Sequence, residues 1–202
     1  NQMAEDLQQN QRQLLEEEEL RKENELERRL LEAENSRKSD ELEAARRFQL
    51  SLLPKRLPEH PELEIGVFMK TATEVGGDYY DFFHSSEGAL ITAIGDATGH
   101  GARAGTMVTV IKSLFAAEVG QLELADFLDK ASESIRRMDL GRMAMALTLA
   151  RYREATLTVS AAGMPPVLVY RADTTTVEEL VVTGLPLGSM AESTYQQRDI
   201  RL

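Results

Sequence analysis

The chain has 202 residues, a formal net charge of −11, no cysteine and no tryptophan. With 34 acidic against 23 basic side chains it lacks the basic face that nucleic acid requires, and without cysteine it has no disulfide, thiolate metal site or thiol nucleophile. No apolar run approaches the roughly 18 residues that span a bilayer, and no charged-then-apolar leader opens the chain, so it reads as a soluble, cytoplasmic piece.

From Asn1 to Leu53 there is neither glycine nor proline, and Asn1–Arg47 carries 14 acidic and 9 basic residues, which predicts one long polar helix. Its leucines follow no clean heptad. Leu20, Leu31, Leu42 and Leu53 recur every eleven residues, and Leu15, Leu26 and Phe48 fall on a second eleven-residue track. Such a repeat corresponds to about 3.67 residues per turn and gives a straight or slightly right-handed supercoil. A lone helix this polar buries nothing, so the expectation is a parallel homodimer with Leu20, Leu31, Leu42 and Leu53 at its interface. A solvated single helix is the plainer alternative. Pro54 and Pro58 then stop the helix, and residues 54–62 read as an extended connector in which His60 has no evident partner.

Beyond the connector, residues 63–202 read as one domain. Short apolar runs predict strands at Leu63–Met69, Tyr79–Phe83 and Ala89–Ile94. Ala104, Met107, Val108, Ile111, Leu114 and Phe115 then recur at helical spacing, predicting a helix that runs to about Val119 and ends at Gly120. A second helix, Leu122 to about Met138, is closed by Gly141. Strands follow at Met143–Tyr152, Ala155–Ala161, Val167–Tyr170 and Val177–Val182, with another near Ile200. Strands, two helices, then strands imply an α+β layered domain with largely antiparallel sheets.

Two Gly-Asp elements carry the chemistry. In Gly95-Asp96-Ala97-Thr98-Gly99-His100-Gly101, Asp96 stands where a strand gives way to a helix, and three glycines permit a sharp turn and close approach to a ligand. The plainer reading is a turn in which Asp96 or Thr98 caps the helix. The second element, Gly76-Gly77-Asp78-Tyr79-Tyr80-Asp81, also sets glycines before an aspartate and a strand. Neighbouring strands would bring both carboxylates to one end of a sheet, where they repel unless protonated or bridged by hard cations such as Mg²⁺ or Mn²⁺. A dinuclear metal site is the sharper hypothesis.

Taken in order, Gln49–Pro54 (QLSLLP), Gly76–Asp81 (GGDYYD), Gly95–Gly101 (GDATGHG), Ala162–Pro166 (AGMPP) and Gly184–Gly188 (GLPLG) resemble the SpoIIE-type branch of the PPM metal-dependent protein phosphatases, which includes RsbU-like enzymes. The resemblance covers about Leu50 to Leu202, and the helical lead-in is similar to the coiled-coil linkers that join such phosphatases to upstream sensors. It implies a β-sandwich flanked by helices, two Mn²⁺ or Mg²⁺ ions, and hydrolysis of phosphoserine or phosphothreonine on a partner, typically a STAS-type anti-anti-sigma factor. By motif, Asp78 matches the first metal-ligating aspartate, Asp96 the aspartate bridging both ions, and the Ala97 carbonyl a further oxygen ligand. Asp81 is placed behind them, supporting the ligands or metal-bound waters. Metal-assisted hydrolysis uses water as the nucleophile, so no serine or threonine is given a catalytic role.

There are two departures from the family pattern. The position two residues after the bridging aspartate, a histidine in the eukaryotic branch, is Thr98; His100 does not inherit its role. The family also continues past the strand near Ile200 with a Gly-Asp turn, an apolar strand and an Asp-Gly pair that supplies another metal ligand. The expectation is that these 202 residues alone bind metal poorly and catalyse little. The alternatives are a non-catalytic dimeric module that keeps the phosphatase fold to bind the STAS-like partner, and a nucleotide cyclase, suggested by Gly76-Gly77-Asp78 after a signalling helix.

Overall fold

The computed structural model describes the backbone of residues 2–70, 76–189 and 194–202, with side chains in the first helix from Gln11 onward apart from Gln13. That helix, α1, spans Gln2–Leu52, so only Asn1 of the expected span lies outside the described residues. Compactness divides the chain within the helix, into Asn1–Glu43 and Ala44–Leu202, rather than at the helix end.

The first unit is a helix held by local charge. Lys22–Glu18, Arg29–Glu25 and Lys38–Glu34 pair at 2.9, 2.6 and 2.8 Å with four-residue spacing. At a water-exposed surface such pairs contribute little to stability. Leu20, Leu31 and Leu42 are exposed on it, at 58%, 58% and 37%. Leu53 is different: it lies past the end of α1 and is 8% exposed, packed in the core of the second unit. It therefore leaves the expected dimer seam. The helix stops one residue earlier and Pro54 follows, so the eleven-residue track carries Leu53 into its own chain's interior rather than towards a partner.

The second unit begins with the last turns of α1. It contains β1 (Asp78–His84), β2 (Leu90–Ala97), α2 (Ala102–Glu118), α3 (Leu124–Arg137), β3 (Met145–Arg153), β4 (Thr156–Ala162), β5 (Val167–Arg171), β6 (Thr176–Leu180) and β7 (Gln197–Arg201). Strands β1-β2-β3-β4-β7 form an antiparallel sheet in that order, and β5 pairs with β6. This is the mixed α+β, largely antiparallel architecture that the sequence implies.

Strand alternation sorts the side chains into two layers. On one face Tyr79, Ile91, Ala93, Leu147, Leu149 and Ala162 join α2 (Met107, Val108, Ile111, Phe115) and α3 (Phe127, Leu128, Ile135) in a single core. Phe115 and Phe127 meet edge to face, centroids 6.2 Å apart. Burying each of these large side chains contributes about 1.5–3 kcal/mol. On the other face Val159 and Ala161 of β4 pack with Val182, Val167 and Leu180, so the β5–β6 hairpin covers that part of the sheet.

Two expected boundaries shift. Among the described residues Leu63–Met69 forms no strand: it alternates half-buried Leu63, Ile65 and Met69 and makes one isolated bridge, His60 to Leu63, while Phe68 is 90% exposed. Alternation without a hydrogen-bonded neighbour is an extended segment and not a ladder. Helix α3 ends at Arg137, with Asp139 at φ 48°, so Gly141 (φ 70°) belongs to the turn that feeds β3.

Candidate metal centre

Antiparallel pairing places Asp78, the first residue of β1, directly opposite Asp96, the penultimate residue of β2. Directly paired residues project to the same face with Cβ atoms about 4.5–5.5 Å apart. Both carboxylates therefore lie at one end of the sheet, on the face away from α2 and α3. Asp96 stands inside the strand rather than at the corner itself; the turn of residues 98–101 follows, and α2 starts at Ala102.

Gly77 makes this arrangement possible. A Cβ at Gly77 would lie 2.3 Å from the Ala97 carbonyl oxygen, 2.5 Å from Asp96 Oδ1 and 2.9 Å from the Ala97 nitrogen. Only a residue without a side chain can pass so close, and the Ala97 N–H donates to the Gly77 carbonyl at 3.0 Å. The same approach draws the Asp96 carboxylate and the Ala97 carbonyl together beside Asp78. Burial, and then the charge of Asp78, hold the Asp96 carboxyl above its usual range. Among the described residues neither carboxylate has an ion-pair partner.

Two carboxylates in mutual repulsion plus one backbone carbonyl form a hard oxygen donor set that fits Mg²⁺ or Mn²⁺. Among the described residues no group of three or more His, Asp or Glu side chains completes a denser cluster.

Asp81, expected to support the ligands, stands elsewhere. It is three positions from Asp78, so strand alternation sends it to the helix-covered face, where it is 6% exposed. There it accepts from Lys112 Nζ of α2 at 2.6 Å and from the Tyr79 hydroxyl at 3.0 Å. Burial, and then the adjacent Asp81 charge, push the Tyr79 phenol up, keeping it a neutral donor. Asp81 thus ties α2 to β1 and does not back the metal ligands.

Thr98 caps no helix. Its hydroxyl accepts from the Ala144 N–H at 3.0 Å and its own N–H donates to the Ala144 carbonyl at 2.9 Å, extending the β2–β3 ladder around the site. Gly101 is the N-cap of α2, with no side-chain cap hydrogen bond, and His100 is exposed.

Gln49, the first residue of the Gln49–Pro54 motif, is a participant to which the sequence assigns no role. It is 6% exposed, its Nε2 donates to the Gly76 carbonyl at 2.6 Å, and its Oε1 accepts from the Gly76 N–H at 3.1 Å. One amide therefore clasps both backbone groups of the residue before Gly77. The available signal was a polar residue inside the most apolar turn of α1, between Phe48 and Leu50. The two remaining motifs have structural roles: Gly163 N–H donates to the Gly184 carbonyl at 2.8 Å, and Leu187 exchanges hydrogen bonds with Met145 at 2.8 and 3.0 Å.

Comparison with known proteins follows the same outline. RsbU of Bacillus subtilis (strain 168), described as a phosphoserine phosphatase, is 28% identical over 164 residues, covering 79% of this chain and 48% of that protein. The chain thus spans about half the length of this curated relative. Similar solved structures include the SiaA-PP2C domain of Pseudomonas aeruginosa (TM-score 0.63, 20% identity, 83% of this chain and 68% of that one). Another is the PP2C phosphatase domain of SpoIIE from Bacillus subtilis with a fragment of its regulatory domain (TM-score 0.51, 22% identity, 63% and 38%). A third holds the RsbU and RsbW domains of Rv1364c from Mycobacterium tuberculosis (TM-score 0.56, 19% identity, 66% and 37%). At these identities the structures establish the PP2C fold alone. Residues 86–202, more than half of the chain, match the family described as Stage II sporulation protein E (SpoIIE), and the chain belongs to that family.

Proposed function

We propose that this chain is the core of a metal-dependent protein phosphatase that hydrolyses phosphoserine or phosphothreonine on a partner protein. The observation that carries the reading is the directly paired Asp78 and Asp96, with the Ala97 carbonyl brought beside them over Gly77. Asp78 and Asp96, with the Ala97 carbonyl, would hold Mn²⁺ or Mg²⁺. When bound, such ions supply Lewis acidity that acidifies water and offsets phosphate charge. The chain's own part is to hold the carboxylates at the sheet end, where Gln49 fixes the Gly76 backbone. Membership in a phosphatase family replaces the nucleotide-cyclase alternative.

The partner in this reading is a STAS-like anti-anti-sigma factor, consistent with the similarity to RsbU and to a structure holding RsbU and RsbW domains. We place the protein in the cytoplasm; among the described residues no helix is long and apolar enough to cross a membrane. We further propose that α1 pairs with its copy through Leu20, Leu31 and Leu42 and that an upstream sensor acts through it. An eleven-residue seam with few apolar residues permits alternative packings that differ by only a few kcal/mol. The Gln49 amide links the end of that helix to the Gly76 backbone.

The test is turnover of a phosphorylated STAS protein by the complete gene product, with Mn²⁺ and with chelator. Metal-dependent release of phosphate supports the reading. Partner binding without turnover at saturating Mn²⁺ overturns it in favour of the non-catalytic module. Fusing α1 to a rigid heptad coiled coil in successive registers tests control: activity should vary periodically, and activity flat across registers would reduce the helix to a tether.

A further inference from the structure

The stretch Ala44–Pro58 carries Arg46, Arg47, Lys55 and Arg56 and no acidic residue, in a chain of net charge −11. The fold adds Lys70 to this patch: Arg46, Lys55 and Lys70 stand around a hollow of about 550 Å³ whose apolar lining includes Leu50, Met69 and Tyr80. Elsewhere on the unit Arg151, Arg153 and Arg171 each sit against a glutamate. Lys55 and Lys70 are exposed and make no ion pair among the described residues.

The hollow shares wall residues with a groove that reaches Asp78. Tyr80 follows Asp78 by two residues on the same face of β1, about 7 Å along the strand. Met69, Lys70 and Tyr80 also line the groove that reaches Asp78. A peptide with its phosphoserine at the carboxylate pair would therefore lay its flanking residues into the basic, apolar-floored hollow.

We propose that this hollow docks an acidic segment with an apolar anchor, located beside the phosphorylated residue of the protein substrate; the proposal rests on the phosphatase reading above. Apolar side chains would enter between Leu50, Met69 and Tyr80, and carboxylates would meet Lys55 and Lys70. The concavity favours a chain that inserts a side chain over a flat anionic bilayer. Charge complementarity of this kind sets specificity and on-rate and weakens with salt.

Two fluorescein-labelled unphosphorylated peptides probe it in the complete gene product by anisotropy: one rich in Asp, Glu and Leu, the other with those residues replaced by Gly and Ser. The acidic peptide should bind about tenfold tighter, and Lys55→Glu with Lys70→Glu should remove that preference. The phosphorylated acidic peptide should show the same loss in KM with kcat unchanged, and p-nitrophenyl phosphate turnover should not move. Equal binding of both peptides, or a preference that survives charge reversal, overturns the hollow whether or not phosphate is released. Charge-sensitive binding only to phosphatidylserine vesicles overturns it as well, because the occupant is then a membrane. Charge-sensitive peptide binding without any metal-dependent turnover supports the hollow and sinks the phosphatase reading instead.

Discussion

Gly77→Ala tests how closely the two strands approach at the site. The added methyl would lie 2.3 Å from the Ala97 oxygen, 2.5 Å from Asp96 Oδ1 and 2.9 Å from the Ala97 nitrogen. Two of these three atoms are backbone, fixed by the ladder from Ala97 to Met145, so relief requires β1 and β2 to part at their ends. Overpacking of this sort costs about 1–3 kcal/mol. Losing the 3.0 Å bond from the Ala97 N–H to the Gly77 carbonyl adds about 1 kcal/mol. Alanine's stiffer unfolded chain returns about 0.4–1 kcal/mol. The net is a loss of about 2–3 kcal/mol, which lowers the midpoint of a unit this size by roughly 5–10 °C. All five tyrosines lie in the second unit and the chain has no tryptophan, so near-ultraviolet circular dichroism follows that unit without interference from the first. Gly66→Ala is the control, because a Cβ there meets nothing within 4 Å, and its midpoint should stay within about 2 °C of wild type. A Gly77→Ala midpoint as close to wild type as that of the control would refute the close approach on which the site is built.

Lys112→Met strips the buried Asp81 carboxylate of its cation and should destabilise the unit by about 3 kcal/mol in urea unfolding, whereas adding Asp81→Asn should recover most of the loss. If the double variant is no better than the single, the ion pair is not what joins α2 to β1. Gln49→Ala leaves the half-buried Gly76 N–H and carbonyl without this partner and should cost about 1–2 kcal/mol, together with weaker Mn²⁺ binding by calorimetry. Unchanged Mn²⁺ affinity would detach Gln49 from the site. Leu31→Lys with Leu42→Lys should yield monomers by light scattering, and a persistent dimer would move the interface off the helix.

Much of the fold was legible because its signals are local. The run Ala89–Ile94 is short, apolar and β-branched like a buried strand, Met143–Tyr152 is marked by its apolar residues alone, and Met107, Ile111 and Phe115 mark the inner face of α2 by spacing. The pairing of Asp78 with Asp96 was foreshadowed by two Gly-Asp elements, but its register rests on strand pairing that no local pattern encodes. Asp81 was misplaced although the signal existed: an odd spacing along a strand reverses the face. Leu53 was misread because a helical repeat was carried one residue past a helix that Pro54 ends. Gly77 and Gln49 act through contacts with Ala97 and Gly76, and those partners appear only once the chain has folded.

Asp96→Asn in the complete gene product addresses the metal centre directly. The folded Asp96 carboxyl titrates above its ordinary value, so its protonated form favours the fold, and that contribution is present below about pH 3.8 and lost as pH rises through the raised value. At neutral pH the charged group therefore opposes folding, and the metal-free asparagine variant should unfold at the same or slightly higher urea concentration than wild type, an advantage that fades towards acid. Release of phosphate from a phosphoserine protein, measured across a Mn²⁺ titration, should be abolished in that folded variant. Wild-type turnover retained by Asp96→Asn at saturating Mn²⁺ would contradict the account.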